Sequence, residues 1–129
     1  MNDAKRTVVQ TEEAPAAVGP YSQAVRHGDL LFISGQIPLD PGGELVAGSL
    51  AEQTRRCLRN LEAIARAAGA SLESAVKVTI YTTRLEGFAE INEAYAEFFG
   101  DEPPARATIG VAALPLGAEV EIDAIVAVG

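Results

Sequence analysis

The chain is poor in the side chains that enzymes most often use: it has no tryptophan, one histidine (His27) and one cysteine (Cys57) in 129 residues. One thiol closes no internal disulfide, which fits a reducing compartment. His27 stands beside Gly28 in a turn with no nearby Cys or second His, so no metal site is expected. Cys57 falls on the apolar stripe of a helix, where a packed thiol is the ordinary role. Positive charge is also scarce, with 10 Lys and Arg against 18 Asp and Glu and a net charge of -8. Binding by neutralising nucleic-acid phosphates needs clustered Lys and Arg, so no nucleic-acid partner is expected, although one local Arg can still attract a small anion. There is no Gly-x-Gly-x-x-Gly run and no P-loop to cradle a nucleotide. No apolar run approaches the roughly 18 residues that span a bilayer. The first residues, Met1-Asn2-Asp3-Ala4-Lys5-Arg6, lack the apolar stretch of a signal peptide. These absences lead to the expectation of a soluble cytoplasmic protein with no membrane partner.

What is present is a foldable pattern. Hydrophobic residues make up 48% of the chain and charged residues 22%, too apolar for disorder, and the length suits a single domain over residues 1–129. Thr7-Val8-Val9 reads as a weak first strand. Ala24-Val25-Arg26 and Leu30-Leu31-Phe32-Ile33-Ser34 flank His27-Gly28-Asp29 as a hairpin. Ser49 and Glu52 have capping-box spacing, and Leu50, Thr54, Cys57, Leu58, Leu61, Ile64, Ala65 and Ala68 form one helical stripe that ends at Gly69. Val76, Val78 and Ile80 alternate with Lys77, Thr79 and Tyr81 as a strand. A second helix is expected from about Gly87 to Phe99, with Phe88, Ile91, Tyr95, Phe98 and Phe99 inward. Two strands follow, near Ala105 to Ala112 and Glu119 to Val128.

The order β-β-β-α-β-α-β-β gives two helices that cover one face of a mixed sheet. In the last strand Val120, Ile122, Ala124, Val126 and Val128 form the apolar row that faces them. Placing Ala105, Ala107, Ile109 and Val111 against the helices as well leaves Arg106, Thr108 and Gly110 on the other face, together with Glu121. In the hairpin, Leu30 and Phe32 point opposite to Leu31 and Ile33. Both sides of that strand are therefore apolar, which a two-layer subunit cannot bury alone, so an oligomer is expected.

Arg106 opens an apolar strand just after Pro103-Pro104-Ala105. Its guanidinium is a fixed two-pronged donor that suits a carboxylate or phosphate, or else the partner of a surface ion pair. Glu121 is a candidate base or water-orienting carboxylate. Tyr21 could face a ligand or anchor a loop, and Ser34 and Gly35 end a buried strand where a hydroxyl and backbone amides could hold a ligand oxygen. Asn92 follows Ile91 on the second helix and could lean toward the same site.

Four stretches carry a resemblance: Gly19-Pro20-Tyr21-Ser22-Gln23-Ala24, Ser34-Gly35-Gln36-Ile37-Pro38, Pro104-Ala105-Arg106, and Leu114-Pro115-Leu116-Gly117-Ala118-Glu119-Val120-Glu121-Ile122. In this order, and across essentially the whole chain, they resemble the RidA family, the YjgF-type reactive-intermediate deaminases. The resemblance implies a chorismate-mutase-like α+β fold and a homotrimer with clefts between subunits. It also implies a hydrolase acting on C–N bonds, which converts 2-imino acids, the tautomers of enamines such as 2-aminoacrylate, to 2-keto acids and ammonia. Carried onto this chain, Arg106 would bind the substrate carboxylate and Glu121 would position or deprotonate water. Tyr21, Ser34, Gly35, Asn92 and Thr108 would line the pocket, and no metal or cofactor is implied. Thr108 stands where many members carry a cysteine, Pro103 where a Phe is frequent, and the connection from Phe99 to Arg106 is short. These departures bear on which imino acid fits. A binding or regulatory module that holds 2-keto acids without turnover is the alternative, and a ribonuclease fits the acidic balance least.

Overall fold

The computed structural model of the protein describes residues 5–129. Its strands are β1 (Arg6–Val9), β2 (Ala24–His27), β3 (Leu30–Gln36), β4 (Ala75–Thr82), β5 (Ala105–Gly110) and β6 (Val120–Ala127), with helices α1 (Leu50–Ala67) and α2 (Phe88–Ala96). The six strands form one mixed sheet in the order β1-β2-β3-β6-β4-β5. Only β4 and β5 run parallel; α2 makes the crossover between them, as a parallel pair requires. The result is the α+β, chorismate-mutase-like architecture with both helices on one face of the sheet.

Local chemistry sets the helix ends. Ser49 Oγ accepts a 3.1 Å hydrogen bond from the Glu52 backbone N–H, satisfying one free donor of the first turn of α1. Beyond the other end Gly69 sits at φ 78°, a conformation that costs glycine nothing. Leu50, Cys57, Leu58, Leu61, Ile64 and Ala65 of α1 are fully buried against the inner rows of the sheet, Leu31 and Ile33 of β3 and Val120, Ile122, Ala124 and Val126 of β6. Two polar links hold α2 against α1: Ala51 N–H donates to Glu90 Oε2 at 2.9 Å, and Arg55 forms a two-pronged pair with Glu97. They fix the α2 residues that face the edge strand.

Three expectations are corrected. Val76 is exposed rather than inward, because a register shift between Ala75 and Lys77 pushes one residue out of the ladder; Ala75, Val78 and Ile80 form the inner row. Phe88 is 41% exposed, since it opens α2 at the rim of the sheet rather than over its centre.

The third correction moves a site residue. In the parallel ladder Val78, Ile80 and Thr82 pair with Arg106, Thr108 and Gly110, and paired residues point to the same face. Val78, Ile80 and Thr82 are buried under the helices. Arg106 and Thr108 therefore lie on the helix side, and Ala105, Ala107 and Ile109 lie on the open side. Glu121 pairs with Tyr81 on the open side. Arg106 and Glu121 thus occupy opposite faces of the sheet. Small apolar residues on an edge strand carry no signal about which face is inward; the register with β4 decides it.

The open face is apolar over much of its area. Leu30 and Phe32 are 38% and 43% exposed there, while Leu31 and Ile33 on the same strand are buried. Across the sheet Val8, Val25, Phe32 and Ile125 form a continuous row.

Candidate functional site

The open face carries a cleft of about 740 Å³ at the β3 and β6 end, with Tyr21, Ser34, Gly35 and Glu121 on its wall. Glu121 is fixed there by backbone chemistry. A Cβ on Gly35 would come within 2.0 Å of Glu121 Oε2, so only glycine lets the carboxylate lie against the β3 backbone. Burial raises the Glu121 carboxyl above the usual carboxylate range, and the negative charge of Asp123 adds to the effect. Ser34 Oγ donates to the Ser22 carbonyl at 2.6 Å, which leaves its lone pairs, not its proton, for anything in the cleft. Tyr21 is 49% exposed at the rim, and its phenol oxygen lies 3.4 Å from the Val18 N–H.

Buried amides hold the cleft walls. Gln23 Nε2 donates to the Pro15 carbonyl at 2.8 Å and its Oε1 accepts from Thr11 N–H at 2.7 Å, tying down the loop that supplies Pro15 and Val18. Asn60, fully buried on α1, donates to the Leu39 carbonyl at 2.8 Å and fixes the opposite wall. Neither role was read from the sequence. The available signal was an amide sitting three residues beyond Cys57 in an apolar stripe, where an unbonded polar group would be costly. At the mouth, Leu116 has φ 58°, the sole non-glycine residue at positive φ among the described residues. Strain of this kind costs of order 1–3 kcal/mol and gathers at ligand-binding sites.

Gly35→Ala is expected to drive the Glu121 carboxylate outward, toward water. Its pKa should then fall back toward the ordinary range, which carboxyl-carbon NMR titration would read.

Arg106, Thr108 and Asn92 stand apart from this cleft. The Arg106 guanidinium carbon lies 4.8 Å from the Tyr95 ring centroid and 5.5 Å from that of Phe88, both on α2, a cation–π seat. Among the described residues no Asp or Glu pairs with it, so the ion-pair reading of Arg106 finds no partner there. Thr108 Oγ1, Asn92 Oδ1 and the Tyr95 hydroxyl are buried and have no hydrogen-bond partner among the described residues. Buried orphans of this kind each cost about 1–3 kcal/mol and are rare in proteins. The sequence-derived set thus divides into a carboxylate cleft on the open face and a guanidinium with three idle polar atoms at the far edge.

A two-layer fold with an apolar open face, a half-buried carboxylate in a cleft and, among the described residues, an unpaired guanidinium on its other side defines a small-ligand protein of the YjgF/RidA class. The chain belongs to that family: the family described as endoribonuclease L-PSP matches residues 11–128. It is 50% identical over 121 residues to a RutC family protein of Pyrococcus horikoshii, covering 93% of this chain and 96% of that one. It is 45% identical over 130 residues to the 2-iminobutanoate/2-iminopropanoate deaminase of Mus musculus, covering 100% and 96%. The crystal structure of RidA from an Antarctic Psychrobacter superposes with a TM-score of 0.91 at 44% identity, covering 95% of this chain and 99% of that one.

Proposed function

We propose that this protein hydrolyses reactive 2-imino acids, such as 2-iminopropanoate formed from 2-aminoacrylate, to 2-keto acids and ammonia. The observation that carries the reading is the half-buried Glu121 carboxylate, raised in pKa and seated against Gly35 in the cleft. A protonated imine carbon is already electrophilic, so the protein needs chiefly to orient water and substrate. Glu121 takes a proton from water as its oxygen bonds to the imine carbon. It returns that proton to the nitrogen of the resulting carbinolamine. The C–N bond then breaks, ammonia leaves, and the remaining hydroxyl loses its proton to give the keto acid. A carboxyl that holds its proton more readily than an exposed one is better suited to return it to the nitrogen. The name of the mouse relative supports the same chemistry. RNA cleavage, suggested by the family description, lacks support: the net charge is -8, and the one His of the chain is exposed at the end of β2.

In this reading Arg106 binds the substrate carboxylate, and it reaches Glu121 only from a neighbouring copy. The two residues lie on opposite faces of one chain, so a ring of subunits, a trimer in the family reading, joins the Arg106 edge of one to the Glu121 cleft of the next. Ring closure would also cover Leu30 and Phe32. The test mixes two inactive variants. Arg106→Ala and Glu121→Gln chains, each near background alone, are co-expressed at equal levels. Every mixed trimer then holds one complete cleft, so roughly a quarter of the wild-type ammonia release should return. No recovery in verified mixed oligomers would place both residues in one subunit's site or in none. If mixed clefts bind pyruvate in calorimetry yet release no ammonia from freshly generated 2-iminopropanoate, the protein is a binding module for small carboxylates.

A further inference from the structure

We propose that Asp123 and Tyr81 act as a positioning pair for Glu121, a carboxylate and a phenol locked together on the open face that set how readily Glu121 takes up and releases its proton. The inference rests on Glu121 being the working base of the proposed reaction, and it assigns that base its control.

The geometry comes from the sheet. Glu121 and Asp123 alternate along β6, so both point to the open face, roughly 6–7 Å apart along the strand. The ladder sets Tyr81 opposite Glu121 and Thr79 opposite Asp123. Tyr81 does not stay in its own row: its hydroxyl reaches diagonally and donates to Asp123 Oδ2 at 3.1 Å. One phenol therefore lies beside Glu121 and is bonded to the neighbouring carboxylate. A charge-assisted bond of this kind is stronger than a neutral one and fixes the acceptor in place.

The other groups around Glu121 leave Asp123 as its principal charged neighbour. From β3 it faces Gly35, which has no titratable group. From the loop before β2 it faces Tyr21 across the cleft. Behind the sheet, on α1, lies Cys57, fully buried and held neutral by burial, with Glu121 itself adding to that effect. Lys77 shares the open face beside Ile125. Among the described residues no Lys or Arg forms an ion pair with Glu121 or Asp123. The coupling is visible from both ends: Asp123 raises Glu121, and burial, then Asp123, then Glu121 raise Tyr81. A fixed negative charge beside a half-buried acid favours its protonated form. The Tyr81 hydroxyl tempers that charge while preventing Asp123 from swinging away.

The test reads the Glu121 carboxyl-carbon titration by NMR in the full-length protein, with no substrate, alongside the acid limb of kcat/KM for imine hydrolysis. Asp123→Asn should lower both midpoints, because it removes the close negative charge while keeping the side chain's shape. Asp123→Glu, which keeps the charge, should restore them. Tyr81→Phe should move both midpoints up, by less. Asp123→Ser replaces the Asn variant if that chain does not fold. Glu121 midpoints unmoved in Asp123→Asn, or shifted down in Tyr81→Phe, overturn the pair. A moved NMR midpoint with no imine turnover in any chain upholds the pair and removes the deaminase reading instead; turnover that needs Glu121 but ignores Asp123 does the reverse.

Discussion

Replacing Arg106 by Ala should lower kcat/KM for 2-iminopropanoate hydrolysis by roughly 30- to 5,000-fold, which corresponds to the 2–5 kcal/mol typical of truncating one partner of a buried charge pair. Among the described residues nothing takes the guanidinium, which leaves it to serve a ligand: it sits over the Tyr95 and Phe88 rings without a carboxylate partner there. A ring seat fixes orientation while leaving the N–H edge open. Lysine should rescue little, since one ammonium reproduces neither the two-pronged geometry nor the flat stacking on Tyr95. Folding should survive both changes, because the residue is on an edge strand and only partly buried. Ammonia release from freshly generated imine, with circular dichroism as the folding control, decides the matter. Wild-type rates in Arg106→Ala would remove the clamp.

The second large effect is at Glu121. Glu121→Gln keeps shape and hydrogen-bonding reach but cannot accept the proton of water, so kcat should fall about 10²- to 10⁴-fold. In the wild type the rate should fall as pH drops through the raised Glu121 pKa, placing the acid limb above the midpoint of an ordinary exposed glutamate near 4.3. Stability should show the opposite sign. A carboxyl raised in the folded state holds its proton more tightly there than in the unfolded chain. Its contribution is therefore complete below the unfolded pKa and is lost as pH rises through the folded one. Glu121→Gln should accordingly raise Tm at pH 7 relative to wild type and change it little at acid pH. Loss of activity with a gain in Tm is the signature of a strained working residue, whereas loss of both would mark Glu121 as structural.

Much of this was legible in the chain. The α1 stripe, its Ser49 cap and its Gly69 exit depend on neighbours three or four residues apart, and the β6 row from Val120 to Val126 on a period of two. Tyr21, Ser34, Gly35 and Glu121 fall in one cleft as their motifs suggested. The faces of Arg106, Thr108 and Val76 were not legible. In β5, Ala105 and Ala107 are too small for their apolarity to choose a side. In β4 one extra residue at the Ala75 to Lys77 irregularity changes the phase of all that precedes it.

The sequence by itself determined which residues form helices and strands, which row of β6 is inner, and that one face must remain apolar and uncovered. Those properties are written in short-range periodicity. Only the tertiary structure decided that Arg106 and Glu121 stand back to back rather than side by side. A strand's face is set by its hydrogen-bond register with a partner, and for β5 that partner is β4, reached only after the chain has crossed over through α2. Nothing within the strand carries that information, and through it a site imagined on one face becomes one that two copies of the chain would have to share.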